Sequence, residues 1–83
     1  MRAMITKKGK PAKNQFEVFD EHGKHFMSYG SQIATINGDE VTLYNPYWDM
    51  YSMTTNYYLL QFLEEDSIKE IRKKVNSGDY LVA

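Results

Sequence analysis

Gln32-Ile33-Ala34-Thr35-Ile36-Asn37-Gly38-Asp39-Glu40-Val41-Thr42-Leu43-Tyr44 reads as two alternating β-runs that meet at Asn37-Gly38. That dipeptide can supply the two positive-φ positions of a type I′ turn. Pairing Ile36 with Asp39 sets Ala34, Ile36, Val41 and Leu43 on one face, and Ile33, Thr35, Glu40, Thr42 and Tyr44 on the other. The first face is the more apolar and calls for a covering layer. The rest of the chain is organised around this hairpin.

Toward the N-terminus a second hairpin is expected. Gln15-Phe16-Glu17-Val18-Phe19 and Lys24-His25-Phe26-Met27-Ser28-Tyr29 flank Asp20-Glu21-His22-Gly23, whose glycine suits a bulged loop. With Asp20 opposite Lys24, Phe16, Val18 and Phe26 share the core face, and Glu17, Phe19, His25 and Met27 lie on the other. Gly30 marks a bend or bulge between the hairpins. Before them, Gly9 and Pro11 interrupt a run of lysines without apolar periodicity. Residues 1–13 therefore read as a flexible basic leader, and residues 14–83 as one domain.

Toward the C-terminus, Asn45-Pro46 ends the sheet, because proline removes a ladder donor. Ser52, or alternatively Asp49, caps a helix in which Met53, Tyr57, Leu60 and Leu63 fall at helical spacing to cover the sheet. Glu64-Glu65-Asp66 breaks it. Asp66 or Ser67 then caps a second helix with Ile68, Ile71 and Val75 inward, ended by Asn76-Ser77-Gly78. Tyr80-Leu81-Val82 can add a short edge strand. The expected fold is α+β: a four-stranded antiparallel meander of two hairpins packed by two C-terminal helices.

With 83 residues the chain makes one domain with one modest core. The absence of cysteine excludes a disulfide staple and a thiolate zinc site. No apolar run has the length of a secretory signal or membrane span, so a cytoplasmic protein without a membrane partner is expected. Charge is divided: Arg2, Lys7, Lys8, Lys10 and Lys13 are half of the 10 basic residues, whereas all 11 acidic ones follow them. The body is net acidic, which disfavours general nucleic-acid binding by it.

Signals for chemistry are sparse. His22-x-x-His25, beside Asp20 and Glu21, is a pair of nitrogens on a hairpin loop with no third nitrogen or sulfur donor, so no metal is expected. Glu64, Glu65 and Asp66 suit the start of a helix better than acid–base work. Ser28, Ser31, Ser52, Thr54 and Thr55 have no histidine with an orienting carboxylate at a recognisable spacing, and no glycine-rich phosphate loop follows a strand. The expectation is a protein that is not an enzyme and takes no cofactor.

Lys69, Arg72 and Lys73 share a helix face, and together with Lys7, Lys8, Lys10 and Lys13 they form the alternative of a nucleic-acid-binding accessory protein. A small-ligand protein that sequesters a nucleotide signal is a further alternative. Aromatic residues carry the strongest binding signal. Tyr29, Tyr44, Tyr47, Trp48, Tyr51, Tyr57, Tyr58 and Phe62 exceed what so small a core can bury, and tyrosine and tryptophan dominate protein-binding hot spots. Trp48 and Tyr57 suit a plug at the sheet–helix junction, which leaves Tyr47, Tyr51 and Tyr58 outward, for a partner or a homodimer.

The order Phe26-Met27-Ser28-Tyr29-Gly30-Ser31-Gln32-Ile33-Ala34, an Asn37-Gly38 turn, Trp48-Asp49, Tyr51-Ser52-Met53-Thr54-Thr55, Tyr58, Phe62-Leu63 and Ser77-Gly78-Asp79-Tyr80 resembles a family of small phage and mobile-element proteins of unestablished function. Met50 stands where that family's pattern runs on directly. The resemblance implies a phage-encoded inhibitor that occupies the surface of a host or defence protein, CRISPR components included. In that reading Tyr47, Trp48, Asp49, Tyr51 and Tyr58 make the partner-binding surface, and acidic residues such as Glu64 and Glu65 steer the encounter.

Overall fold

The computed structural model describes residues 1–45, 48 and 52–83, and in these the alternating apolar residues build a mixed sheet first. Its strands are β1 (Arg2–Ile5), β2 (Pro11–Asp20), β3 (Gly23–Ser28), β4 (Ser31–Asn37), β5 (Glu40–Leu43) and β6 (Tyr80–Val82). They lie in chain order across the sheet. Neighbours are antiparallel except β5 and β6, which run parallel because α1 (Met53–Leu63) and α2 (Ile68–Ser77) intervene. The fold is α+β, with both helices packed on the sheet, as expected.

The N-terminal residues differ from the expected leader. Residues 2–5 and 11–13 belong to β1 and β2, and Met4 is 2% exposed within the core. The hairpin tip is closed by Thr6, whose backbone N–H donates to Lys10 O at 2.8 Å and whose O accepts from Gly9 N–H at 2.9 Å. Apolar periodicity was too short in a four-residue strand to show this. The outer edge of β1 is covered from above: the Gln61 side chain of α1 accepts from Ile5 N–H at 3.0 Å and donates to Ile5 O at 2.8 Å. An amide thus stands in for the neighbouring strand that an edge lacks.

Two register differences have opposite consequences. In the β4–β5 hairpin, Asn37 pairs with Glu40 and Ile36 with Val41, a shift of two from the expected sum, so Ala34, Ile36, Val41 and Leu43 still share a face. Gly38, at φ 60, takes the first central turn position in place of Asn37. In the β2–β3 hairpin the slip is one residue. Asp20 pairs with Gly23 and Glu17 with Phe26, which turns Gln15 and Glu17 toward the helices and Phe16 and Val18 away. Glu17 is tolerated there because β1 brings Arg2 to 2.6 Å and Lys24 lies at 3.4 Å, both against its buried carboxylate.

A bulge lets β4 bury consecutive residues. Phe26 pairs with Ala34 but Met27 with Gln32, so Ile33 is extra, and Ile33 and Ala34 are both buried in the core. Ser52 caps α1 through its hydroxyl, Ser67 caps α2, and Gly78 ends α2 in the left-handed region, all as expected. Ile71 is fully buried, with Ile68 and Val75 packed beside it.

Helix α1 is rotated from its expected orientation. Its buried residues are Thr55, Tyr58, Leu59, Phe62 and Leu63, whereas Met53 is 91% exposed and Tyr57 and Leu60 are only half-buried. The helix has two apolar stripes about one residue apart. The sheet selects the one with Phe62, which stacks on Phe26 at 5.7 Å, and with Thr55, whose hydroxyl meets Ser28 at 3.1 Å. Of the expected stripe, Leu63 is buried, Tyr57 and Leu60 pack at the margin of the core, and Met53 is left at the surface.

Candidate functional site

Met53, Tyr57 and Leu60 recur at i, i+4 and i+7 along α1, so they form one line about 10 Å long beside its buried face. Ile68 of α2 and Lys7 of the β1–β2 hairpin tip complete a groove of about 550 Å³. The Lys7 ammonium sits 5.2 Å from the centroid of the Tyr57 ring. Lys7 is the one charged residue among the described residues that line the groove. At its N-terminal end, α1 carries no acidic residue in the first turn. A helix N-terminus carries a partial positive charge, which no carboxylate within that first turn offsets.

A protein-family model described as a family of unknown function, DUF8033, matches residues 1–78. The chain belongs to that family. No curated protein and no solved structure matches it. The DUF8033 match spans both walls of the groove and takes in residues 1–13, which are strand and hairpin here. No helix among the described residues is long and apolar enough to cross a membrane.

The residues singled out in the DUF8033 sequence are placed unevenly. Tyr47, Asp49 and Tyr51 lie outside the described residues. Trp48 is 5% exposed, with the Arg72 guanidinium 5.9 Å from its ring centroid, in keeping with a plug at the junction. Tyr58, expected outward, is 8% exposed, because the rotation of α1 turns it in and brings its neighbour Tyr57 to the groove. Glu64 ends α1 at φ 56 and is exposed. Lys7, Lys8, Lys10, Lys13, Lys69, Arg72 and Lys73 are exposed, with Lys73 3.5 Å from Glu70.

Glu65, expected to steer an encounter, is held inside the fold. Its side chain is 8% exposed and accepts hydrogen bonds from Lys74 Nζ at 2.6 Å and from the Tyr80 hydroxyl, joining the α1–α2 loop to α2 and β6. Burial works against this carboxylate, but the bonds from Lys74 and Tyr80, with the Lys74 charge, outweigh it and hold its pKa below the ordinary value. The Tyr80 phenol is pushed up to about 12, by burial first and then by the hydrogen bond to Glu65 and its charge. The fold therefore favours the neutral phenol. That stabilisation is complete below the unfolded value of about 10 and is lost as pH rises through about 12. Ultraviolet titration of the tyrosines is expected to show one ionising last, near pH 12. Glu65→Gln, which keeps an acceptor and removes the charge, brings that step back toward 10; an unmoved step would exclude the contact.

A polar chain crosses the face of the sheet turned away from the helices. His25 Nε2 lies 2.8 Å from Asp20 Oδ1, and Nδ1 lies 2.8 Å from Thr35 Oγ1. Gln32 Nε2 donates to Thr35 Oγ1 at 2.9 Å. The Asp20 carboxyl is held below its ordinary value by the His25 hydrogen bond first and then by the one from His22 N–H. His25 Nδ1 lies 2.8 Å from Thr35 Oγ1 and 2.9 Å from Gln32 Nε2, so the chain of contacts latches β2, β3 and β4 together. The one-residue slip of the first hairpin, which puts His25 between Val18 and Thr35, hid this chain from a reading of spacing alone. His22 lies 3.5 Å from Glu21 at the exposed loop, and among the described residues no three acidic or imidazole groups gather as metal ligands.

Proposed function

We propose that this DUF8033 protein is a small non-enzymatic binding protein that docks on the surface of another protein through the groove beside α1. The observation that carries this reading is the partly exposed apolar stripe: Met53 stands 91% exposed at the head of a groove walled by Tyr57, Leu60 and Ile68. Such a concave apolar patch with one cation at its rim has the make-up of a hot-spot pocket. The sequence resemblance to phage and mobile-element proteins adds a biological setting, in which the partner is a host or anti-phage defence protein, for example of a CRISPR system. Inhibition then follows from occupying the partner's working surface.

Affinity capture with the full chain tests this. The wild-type protein is expected to retain a partner in stoichiometric amount, and Met53→Asp, which alters an exposed residue, is expected to lose it with unchanged circular dichroism. Equal retention by the variant would remove the groove from the reading.

A further inference from the structure

Resting on that reading, we infer that the occupant of the groove is an amphipathic helix with acidic flanks, presented by the partner protein. Length is the first support. The three α1 positions span two helical turns, the stretch over which a guest helix offers its own i, i+3/i+4 and i+7 side chains. A groove of about 550 Å³ accommodates a few such aliphatic or aromatic side chains.

Charge complementarity is the second support and selects the flanks. Lys7 rises over Tyr57 at one wall, and Lys8 and Lys10 are exposed on the same hairpin tip. On the other wall Ile68 stands between exposed Asp66 and exposed Lys69, so the net positive charge at the rim comes from the hairpin tip. The N-terminus of α1, capped by Ser52 without a carboxylate in the first turn, adds its dipole. None of the described lining residues is acidic, although the chain as a whole carries 11 acidic residues against 10 basic ones. An apolar guest with glutamate or aspartate beside its stripe meets a matched rim, and one with lysine there is repelled. The encounter is thus steered by the basic hairpin, not by Glu64 and Glu65.

The test uses the full-length protein and two labelled helical peptides that share a leucine stripe but carry either glutamate or lysine flanks, read by fluorescence anisotropy. The glutamate peptide is expected to bind about tenfold more tightly at low salt, with the preference fading near 1 M salt. Lys7→Glu is expected to abolish the preference, and Met53→Asp to weaken both peptides about tenfold. Equal binding of the two peptides, no binding of either, or binding confined to anionic vesicles or an oligonucleotide would overturn the inference. Loss of the captured partner in Met53→Asp without any preference for glutamate flanks would leave the docking reading standing and remove this one alone.

Discussion

Gly23→Ala is expected to cost roughly 2–6 kcal/mol, a large part of the stability of a domain this size. Two effects add. A Cβ at residue 23 would lie 2.3 Å from Ile36 O and 3.0 Å from Asn37 Cα, which are backbone atoms of the neighbouring strand and cannot rotate aside. Overpacking of this kind costs about 1–3 kcal/mol. The backbone at φ 112 is also one that side chains rarely adopt, which adds about 1–3 kcal/mol. Gly38→Ala supplies the control, since its added Cβ would meet nothing within 4 Å and only the φ of 60 is penalised. Urea unfolding followed by circular dichroism should rank Gly23→Ala well below Gly38→Ala. Equal midpoints would mean that β3 and β4 do not approach so closely, and the pairing of Lys24 with Ile36 would have to be redrawn.

Part of the fold was legible in the sequence and part was not, according to how local its determinants are. Alternation in β4 and β5 specified faces securely, because an error of two residues in register returns every side chain to its own side. The first hairpin had no such protection. Its register depends on Arg2, which neutralises Glu17 from a strand 15 residues away, and a four-residue strand among lysines carries almost no periodic signal. Capping was legible because it is local: Ser52, Ser67 and Gly78 each act within a few residues of themselves.

The rotation of α1 belongs to the illegible part, and with it the candidate site. Met53-Thr54-Thr55-Asn56-Tyr57-Tyr58-Leu59-Leu60-Gln61-Phe62-Leu63 is apolar on more than one side, so spacing alone cannot choose the buried stripe. What chooses is non-local: Phe26 waiting under Phe62, Ser28 under Thr55 and the edge of β1 beside Gln61. Aromatic density in the sequence marked Tyr58 as the outward tyrosine of the adjacent pair, whereas Tyr58 is buried and Tyr57 half-buried. Tyr57 and Tyr58 meet edge to face at 4.9 Å, one at the groove and one in the core.

Phe62→Ala tests that choice directly and is expected to cost about 3–5 kcal/mol. The ring is 2% exposed, stacks on Phe26 with centroids 5.7 Å apart, and carries the Lys24 ammonium 5.2 Å from its centroid. Truncation removes the largest α1 side chain fully seated on the sheet and leaves a void between α1 and β3, which neither can close without shifting the Thr55 and Gln61 contacts. Phe62→Leu should recover part of the loss. Met53→Ala, on the other stripe, should stay within about 0.5 kcal/mol of wild type, because a residue 91% exposed contributes little to the core. Chemical unfolding of the three variants checks the whole arrangement. If Met53→Ala were the costly one and Phe62→Ala the neutral one, α1 would present its other stripe to the sheet, and the groove beside Tyr57 would not exist.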